Sequence, residues 1–300
     1  MHISNFFNSP KGHSNYDFVD ISLLSDTPLF IDPCLIQSSN APFCQTANEI
    51  INDYFNTFFN MYRNGSTDNQ KLALFEHAHE INATKLGYGN GENGKAKTPM
   101  GMLETFISVD DLFNRGMHFA NPIDLPIFIQ DFAEDCLSDM LTNILFQHLN
   151  NYTINQCAHY GIQPQHANRR FYYWDIETHS WCLSRSPVIL INNSVVLLVP
   201  KNIVCKNYYY NAEQYFRMII SERIQQKATT INSEGKEVKP SKDYIKSYEL
   251  TQYGTIREAD IAHTLNDPST LREYHERMPQ KYANRYLSDE ALDAIVYNKQ

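Results

Sequence analysis

The chain has no long hydrophobic run and no leader-like start. Its longest apolar stretch, residues 194–200, is far shorter than the ~20 residues that a membrane-spanning helix requires. The first residues, MHISNFFNSPKGHS, lack a charged segment followed by an apolar one, which is the pattern of a secretory signal. We therefore expect no membrane span and a cytoplasmic location.

Cysteine pairs of the metal-binding or redox kind are also missing. The six cysteines are scattered along the 300 residues, and none forms a CxxC pair. This scatter argues against a zinc cluster or a disulfide framework and favours reduced thiols. No GxSxG motif occurs, and no cysteine has neighbours that indicate a nucleophile, so acyl-transfer chemistry has no support in the sequence.

Positive charge is in deficit. Lys and Arg number 25 against 34 Asp and Glu, which gives a formal net charge of −9. Proteins that hold nucleic acid through bulk charge have an excess of Lys and Arg, so that class is disfavoured, whereas a local basic groove or a metal that touches phosphates stays open. Hydrophobic residues make up 42% of the chain, which excludes intrinsic disorder and suffices for a buried core.

Hydrophobic spacing predicts an α+β fold that is mainly helical, with a small antiparallel sheet or β-meander and a helical C-terminal segment. The order of elements, with strands, helices, a meander and then helices, disfavours alternating βαβ units. Strands are predicted at 16–24 and 27–32, helices at 44–63, 67–83, 129–150 and 208–226, and a meander at 171–204 with its turn at Asn192 and Asn193.

A change in composition divides the chain. Residues 227–243 are polar and poor in apolar anchors, which is typical of a linker or an exposed loop. We therefore predict a main α+β domain over 1–226 and a helical C-terminal segment over 244–300.

A Gly-rich segment interrupts the helical part. Residues 89–96 have GxxxxGK spacing, but Ala96 stands where a phosphate loop needs Ser or Thr, and the polar residues before it do not form a buried strand, so an ATPase is rejected. The glycines together with Lys85, Lys95 and Lys97 can still present backbone N–H groups and cations to a phosphate. The alternative is a mobile surface loop.

The residues EHAHE at 76–80 precede this segment on the second predicted helix. Glu76 and Glu80 are four residues apart and share one helix face, whereas the two histidines are too close in sequence to bind one ion together from a straight helix. The cluster resembles metal-ligand material, and Glu80 is therefore a candidate catalytic residue beside the Gly-rich segment. The alternative is a solvated helix face.

The predicted helix over 129–150 carries an acidic stripe. Asp131, Asp135 and Asp139 are spaced i, i+4, i+8, and like charges at that spacing repel each other. The dipole at the helix N-terminus explains the first carboxylates but not Asp139. A hard cation, Mg²⁺ or Mn²⁺, held by Asp135 and Asp139 would explain the carboxylate density. Because apolar residues surround much of this helix, we expect the stripe to be partly buried and to face a cleft.

Asp32 is a further candidate ligand. It follows the apolar residues 28–31 and lies at the carboxyl end of a predicted strand, where α/β sites often place a carboxylate. The alternative is an Asp-Pro turn.

Three segments carry a resemblance to known proteins, namely residues 28–34, 134–145 and 195–201. They resemble uncharacterised bacterial proteins from mobile-element and phage-defence neighbourhoods. The resemblance implies a role in antiviral defence.

Two functions are consistent with these features. The first is a metal-dependent hydrolase that acts on phosphodiesters, such as a nuclease, with nucleic acid or a nucleotide as its ligand. The second is a non-catalytic partner-binding subunit or sensor of a multi-protein complex, which binds a protein through its C-terminal helices. In the hydrolase, Asp135 and Asp139 hold a Mg²⁺ or Mn²⁺ ion, and Glu80 or Asp32 completes the coordination shell of the ion. Lys95 or Lys97 contacts the phosphate.

Overall fold

The fold is described from a computed structural model of the chain. The described residues are 1–79, 81–88, 98–119, 121–132, 134–282 and 285–297. The predicted catalytic residues Glu80, Lys95 and Lys97 lie outside these ranges.

Helices dominate the architecture, in agreement with the predicted fold class. Short 3₁₀ turns at His13–Asn15 and Lys201–Ile203 and a π-helical turn at Phe216–Ile220 accompany the α-helices. The α-helices are α1 Ile3–Phe6, α2 Pro33–Ser38, α3 Pro42–Arg63, α4 Asp68–Phe75, α5 Pro99–Thr105, α6 Ile107–Asn114, α7 Asp124–Phe128, α8 Glu134–Ile144, α9 Phe146–Ala158, α10 Ala212–Tyr215, α11 Ser221–Ala228, α12 Lys242–Tyr253, α13 Ile256–Asn266, α14 Ser269–Tyr282 and α15 Asp289–Tyr297.

In the described ranges the strands are short and pair in twos, all antiparallel. The strands are β1 Phe30–Ile31, β2 Tyr172–Asp175, β3 Ser180–Leu183, β4 Leu190–Ile191, β5 Ser194–Val195, β6 Val204–Cys205, β7 Thr230–Ile231 and β8 Glu237–Val238. Three pairs are hairpins, β2–β3, β4–β5 and β7–β8, while β6 pairs with the distant β1. The mainly helical α+β class is confirmed, with small separate antiparallel sheets in place of one meander.

The helix α3 is the centre of the aromatic core. Its apolar face buries Tyr54, Phe55, Phe58 and Phe59. The helix ends at Asn64-Gly65, as predicted, where Gly65 has a φ of +64° that glycine adopts without strain. Pro42 occupies the first helical position, where the missing N–H costs nothing.

The helix predicted over 67–83 is shorter than expected. A capping box at Thr67 starts α4, but the helix stops at Phe75, so the residues EHAHE are not helical in the part of the chain that is described. After α4 only Ala78 supplies a buried apolar side chain before Ala83. Asn82 and Lys85 then take left-handed backbone conformations that a helix excludes.

The single long helix predicted over 129–150 is also wrong in detail. Within that range the chain forms α8 and the first part of α9, with Asp131 at a φ of +60° before α8 and a break at Leu145 between α8 and α9. Asp131 therefore does not belong to the helix of the acidic stripe. The break separates α8 from α9. Both helices are buried by tertiary packing, which hydrophobic spacing alone does not encode.

The C-terminal helices pack against the preceding fold. Arg257 Nε of α13 donates to the Ile127 carbonyl at 3.1 Å, and His275 Nε2 of α14 lies 2.6 Å from Asp124 Oδ1. Tyr297 of α15 donates to Asp20 near the start of the chain at 2.6 Å. The predicted linker 227–243 contains the exposed hairpin β7–β8. The division into a domain over 1–226 and a segment over 244–300 stays a prediction.

Candidate functional site

The acidic stripe of α8 is partly buried, as its apolar surroundings predicted. Ser138 is buried, and its Oγ accepts a hydrogen bond of 3.0 Å from the Ile31 N–H of β1. Asp135 and Asp139 are half-buried on the same helix. The stripe therefore faces a neighbouring segment of the chain instead of open solvent.

Segment 81–88 lies against this helix. Gly87 has a φ of +127°, and a Cβ built there would stand only 2.7 Å from Asp135 Oδ1. The next residue, Tyr88, packs its ring against Phe30 of β1 with centroids 4.8 Å apart. Burial and then the carboxylates of Glu134 and Asp135 raise the pKa of Tyr88. Gly87 is thus required for the close approach of this segment to the acidic stripe.

A second contact joins α8 to the residues before this segment. The Asn143 side-chain amide donates to two carbonyls, those of His79 and Asp139. The chain immediately before Glu80 is therefore attached to the helix that carries Asp139. This contact brings two of the sequence-predicted features, the EHAHE residues and the acidic stripe, into one neighbourhood.

Asp32 is placed differently from the α8 carboxylates. It is fully buried and caps α2, because its Oδ1 accepts from the Cys34 N–H at 2.8 Å and from the Tyr210 hydroxyl at 3.3 Å. Its Oδ2 has no hydrogen-bond partner within the described parts of the fold. Burial raises the pKa of Asp32 to about 6. The side chain acts as a helix cap here, and a ligand role for it stays a prediction.

The donor set for a metal ion is incomplete. Within the ranges that the structure describes, no group of three or more His, Cys, Asp and Glu side chains could hold a metal ion. Asp135 and Asp139 alone offer two carboxylates. Mg²⁺ is often bound by one or two carboxylates while waters and substrate phosphates fill the other positions. The two aspartates thus fit a metal only together with a phosphate ligand.

Backbone pairing holds segment 81–88 in place. The Leu197 N–H donates to the Ala83 carbonyl at 2.9 Å, and the Thr27 N–H donates to the Lys85 carbonyl at 2.8 Å. Asn82, which precedes the first contact, and Lys85, which makes the second, have φ values of +51° and +54°. Lys at positive φ is uncommon and costs backbone energy, and such strain is concentrated at functional sites.

Segment 81–88 also forms one wall of a cleft, which we call the cationic cleft, with a volume of about 650 Å³. Residues 166–171 and the β4–β5 hairpin form the other walls. The cations and imidazole that line it are Lys85, His166 and Arg169, the other polar groups are Asn82, Asn168, Asn193 and Ser194, and the apolar residues are Ile81, Ala167, Phe171, Leu190 and Val195.

The charge of the cationic cleft is opposite to that of the whole protein. No Asp or Glu is among the described residues that line it, although the net charge of the chain is −9. Lys85 Nζ lies 2.9 Å from Asn82 Oδ1 and 4.0 Å from Asp26 Oδ1 behind it. Arg169 is exposed, and its guanidinium carbon lies 5.7 Å from the centroid of the Phe171 ring.

Sequence reasoning found only part of the cationic cleft. Lys85 was recognised as part of the cationic Gly-rich region, and Asn193 only as a turn residue. His166 and Arg169 were missed because they are distant from Lys85 in sequence. The local signal that could have pointed to them is the basic run at 166–170, HANRR, in an otherwise acidic chain.

These features define a mainly helical α+β protein with a cationic cleft beside a half-buried acidic helix. The chain belongs to the family described as Domain of unknown function (DUF8370), whose family model matches residues 9–211. That range contains the whole cleft and all of α8, and it ends where α10 begins. No curated protein and no solved structure matches the chain. None of the helices in the described ranges is both long and apolar enough to cross a bilayer.

Proposed function

We propose that the protein binds a phosphate-bearing ligand, a nucleotide or nucleic acid, in the cationic cleft. The observation that carries the proposal is the set of Lys85, His166 and Arg169 in one cleft without a lining carboxylate among the described residues, in a protein of net charge −9. Concave sites of this size hold ligands as large as a nucleotide. The amides of Asn82, Asn168 and Asn193 can fix the orientation of such a ligand by donating and accepting hydrogen bonds.

The strained backbone supports the same proposal. Gly at position 85 would adopt the observed φ without cost, whereas Lys does so at some expense in stability. A functional need for the ammonium group at this place in the cleft would explain why a residue with this conformational cost is present. Arg169 complements it, because a guanidinium can bind a phosphate through two parallel hydrogen bonds.

The binding proposal is tested by fluorescence anisotropy with a labelled single-stranded oligonucleotide and a labelled adenine nucleotide. Arg169→Ala is expected to weaken binding by about tenfold, which corresponds to one charge-assisted contact of roughly 1.4 kcal/mol. Arg115→Ala is the matched control, because Arg115 is an exposed arginine on the C-terminal side of α6, away from the cleft lining. Affinity should also fall with rising salt. Equal affinities for wild type and Arg169→Ala would contradict the proposal.

A hydrolytic activity is the second candidate, and the half-buried carboxylates of α8 favour it. Lys85 lines the cleft, and Gly87, two residues later, contacts Asp135. One short segment would therefore lie next to both a phosphate in the cleft and a Mg²⁺ or Mn²⁺ ion on Asp135 and Asp139. The ion would supply charge stabilisation for phosphodiester hydrolysis. Glu80, Lys95 and Lys97 stay proposed catalytic residues, and an antiviral nuclease stays the proposed setting.

The hydrolase is tested by Asp139→Asn, which keeps the shape of the side chain and removes the charge that a hard cation needs. We expect wild type, but not the variant, to be stabilised thermally by Mn²⁺ and to cleave an oligonucleotide. Urea unfolding of the metal-free variant and of the wild type shows whether the substitution itself changes the stability of the fold. No metal response in the wild type would remove this candidate and leave the binding proposal in place.

A partner-binding role is supported by an exposed aromatic face on α12. Tyr244 and Tyr248, one helical turn apart, are each more than half exposed on this helix, and tyrosine is enriched at protein interfaces. These tyrosines would form part of the surface through which the C-terminal helices bind the protein partner predicted from the sequence. A cytoplasmic location is proposed as well, because all six cysteines are free thiols.

A further inference from the structure

A second cleft of about 440 Å³ runs along the exposed side of α3 and shares no described lining residue with the cationic cleft. We call it the amide groove. Three of its lining residues are asparagines, Asn56, Asn60 and Asn64, and His179 from the β2–β3 turn closes one part of it. Asparagine is a poor residue for a helix interior because its side chain competes for backbone hydrogen bonds. Asn56 and Asn60 in the interior of α3 therefore need a reason outside helix stability, whereas Asn64 is the C-cap of the helix.

His179 is held firmly at this groove. Its Nδ1 lies 2.7 Å from Asp53 Oδ1, and the other oxygen of Asp53 accepts a hydrogen bond of 2.7 Å from Trp174 Nε1. Trp181 ties the same hairpin to the Leu74 carbonyl at 2.7 Å. Because Nδ1 is occupied by Asp53, Nε2 is left for another partner. His179 also has a φ of +49°, a conformation that Gly or Asn adopts with less strain.

The spacing of the amides matches an extended polypeptide. Residues four apart on a helix are about 6 Å apart along its axis. Two residues of an extended strand span about 6.6 Å, so every second peptide group can meet one asparagine. A carboxamide offers one acceptor and two donor hydrogens, which complement the N–H and C=O of a peptide group. Asn60 Oδ1 already accepts from Arg63 at 2.7 Å, and its Nδ2 stays available to donate to a peptide carbonyl.

The charge at the His179 end of the amide groove disfavours nucleic acid. Asp53 contributes a carboxylate at this end, and no Lys or Arg is among the described residues that line the groove, while Arg63 bonds to Asn60 nearer the other end. Glu49, exposed one turn before Asp53 on α3, adds a second negative charge at the same end. A phosphate backbone would be repelled there, whereas a Lys or Arg side chain of a peptide would be attracted.

We propose that the amide groove binds an extended segment of a partner polypeptide that carries a basic side chain at the His179 end. Asn56, Asn60 and Asn64 pair with alternate peptide groups of this segment. His179 Nε2 accepts an N–H or hydroxyl group of the same segment. The site is separate from the cationic cleft, and it does not depend on the proposed phosphate binding.

The proposal is tested by selecting octapeptides from a random phage library on the full chain, with the triple variant Asn56→Ala, Asn60→Ala, Asn64→Ala as the counter-selection target. Synthetic copies of the selected peptides are then titrated by anisotropy. We expect peptides with a terminal Lys or Arg, and a loss of about tenfold or more in the triple variant. Asn52→Ala is the matched control, because Asn52 is exposed on α3 but does not line the groove. Circular dichroism verifies that each variant is folded.

Backbone N-methylation of a selected peptide then tests the spacing. Methyl groups on alternate peptide nitrogens should weaken binding by about tenfold, and methyl groups on the intervening nitrogens should have little effect. A selection that yields no peptide dependent on the three asparagines would overturn the proposal. So would an N-methylation pattern without a period of two, or binding of a glycan or an oligonucleotide that the triple variant abolishes.

Discussion

Segment 81–88 contacts two regions of opposite character. Asn82 and Lys85 line the cationic cleft, which is open and held by strained backbone, while Gly87 lies against the half-buried carboxylate of Asp135 on α8. The cationic side is assembled from three distant parts of the chain, whereas the acidic side comes from two turns of a single helix. The acidic side was therefore visible in the sequence, and the cationic side emerged only when the chain folded.

The comparison also separates two kinds of carboxylate. Asp135 and Asp139 are half-buried beside segment 81–88, while Asp32 is fully buried and caps α2. A carboxylate that retains partial access to solvent can contact a ligand. A fully buried carboxylate has a shifted pKa and affects the stability of the fold instead. The predictions below test these distinctions, from the largest expected effect to the smallest.

The largest effect is expected where segment 81–88 meets α8. Gly87→Ala should lower the free energy of unfolding by about 3 kcal/mol, because it adds a Cβ close to Asp135 Oδ1 and forces alanine to a φ of +127°. Gly116→Ala, at a φ of +88° with open space around it, should lose only about 1–2 kcal/mol. Urea unfolding measures both. Gly87→Ala should cost less in an Asp135→Ala background than in the wild-type background, and an equal cost in both backgrounds would refute the close approach.

The buried Asp32 should make stability depend on pH. Its folded-state pKa of about 6 is above the ordinary aspartate pKa of 3.8, so the favourable contribution is complete below about pH 3.8 and is lost as pH rises through about 6. Between pH 4.5 and pH 7 this amounts to a loss of about 2 kcal/mol. Asp32→Asn keeps the helix cap and should remove this part of the pH dependence. Urea unfolding of both proteins at the two pH values checks it, and parallel pH profiles would contradict the assignment.

A moderate effect is expected for the hydroxyl that joins α8 to β1. Ser138→Ala leaves the buried Ile31 N–H without its acceptor and should cost about 1–2 kcal/mol. Ser221→Ala is the matched control, because its buried Oγ donates to the Arg217 carbonyl within its own helical stretch. Thermal or urea unfolding should show a clearly smaller loss for the control. Equal losses would mean that the Ser138 contact has no special weight.

The smallest effect on stability concerns Lys85, and its sign is informative. Lys85→Gly should raise the free energy of unfolding by about 0.5 kcal/mol, because glycine relieves the strain at a φ of +54° by more than it adds chain entropy. The same variant should weaken binding of the labelled nucleotide. Lys85→Met removes the charge and keeps the strain, so it should weaken binding without the gain in stability. A variant that is both more stable and unaffected in binding would leave Lys85 without a role in the cleft.

Much of the fold was predictable where local signals agree with packing. The apolar spacing of α3 and the stop at Asn64-Gly65 are local, and so is the hairpin turn at Asn192 and Asn193 with φ values of +51° and +62°. The helix over 67–83 failed because pairing of Ala83 with Leu197 and of Lys85 with Thr27 outweighs a weak helical preference. The break at Leu145 was also missed, because the apolar spacing continues across it and predicts one uninterrupted helix.

The sequence by itself determined the mainly helical α+β class, the acidic stripe of α8 and its partial burial, because periodicity and charge along one helix are local properties. Only the tertiary structure decided that Asp32 caps a helix in the core and that Lys85, His166 and Arg169 share a cleft. Contacts between residues about 80 positions apart depend on how loops close and helices pack, and one sequence contains no local record of that. The cationic cleft forms where tertiary contacts override the local backbone preference, at Asn82 and Lys85, which both have left-handed conformations.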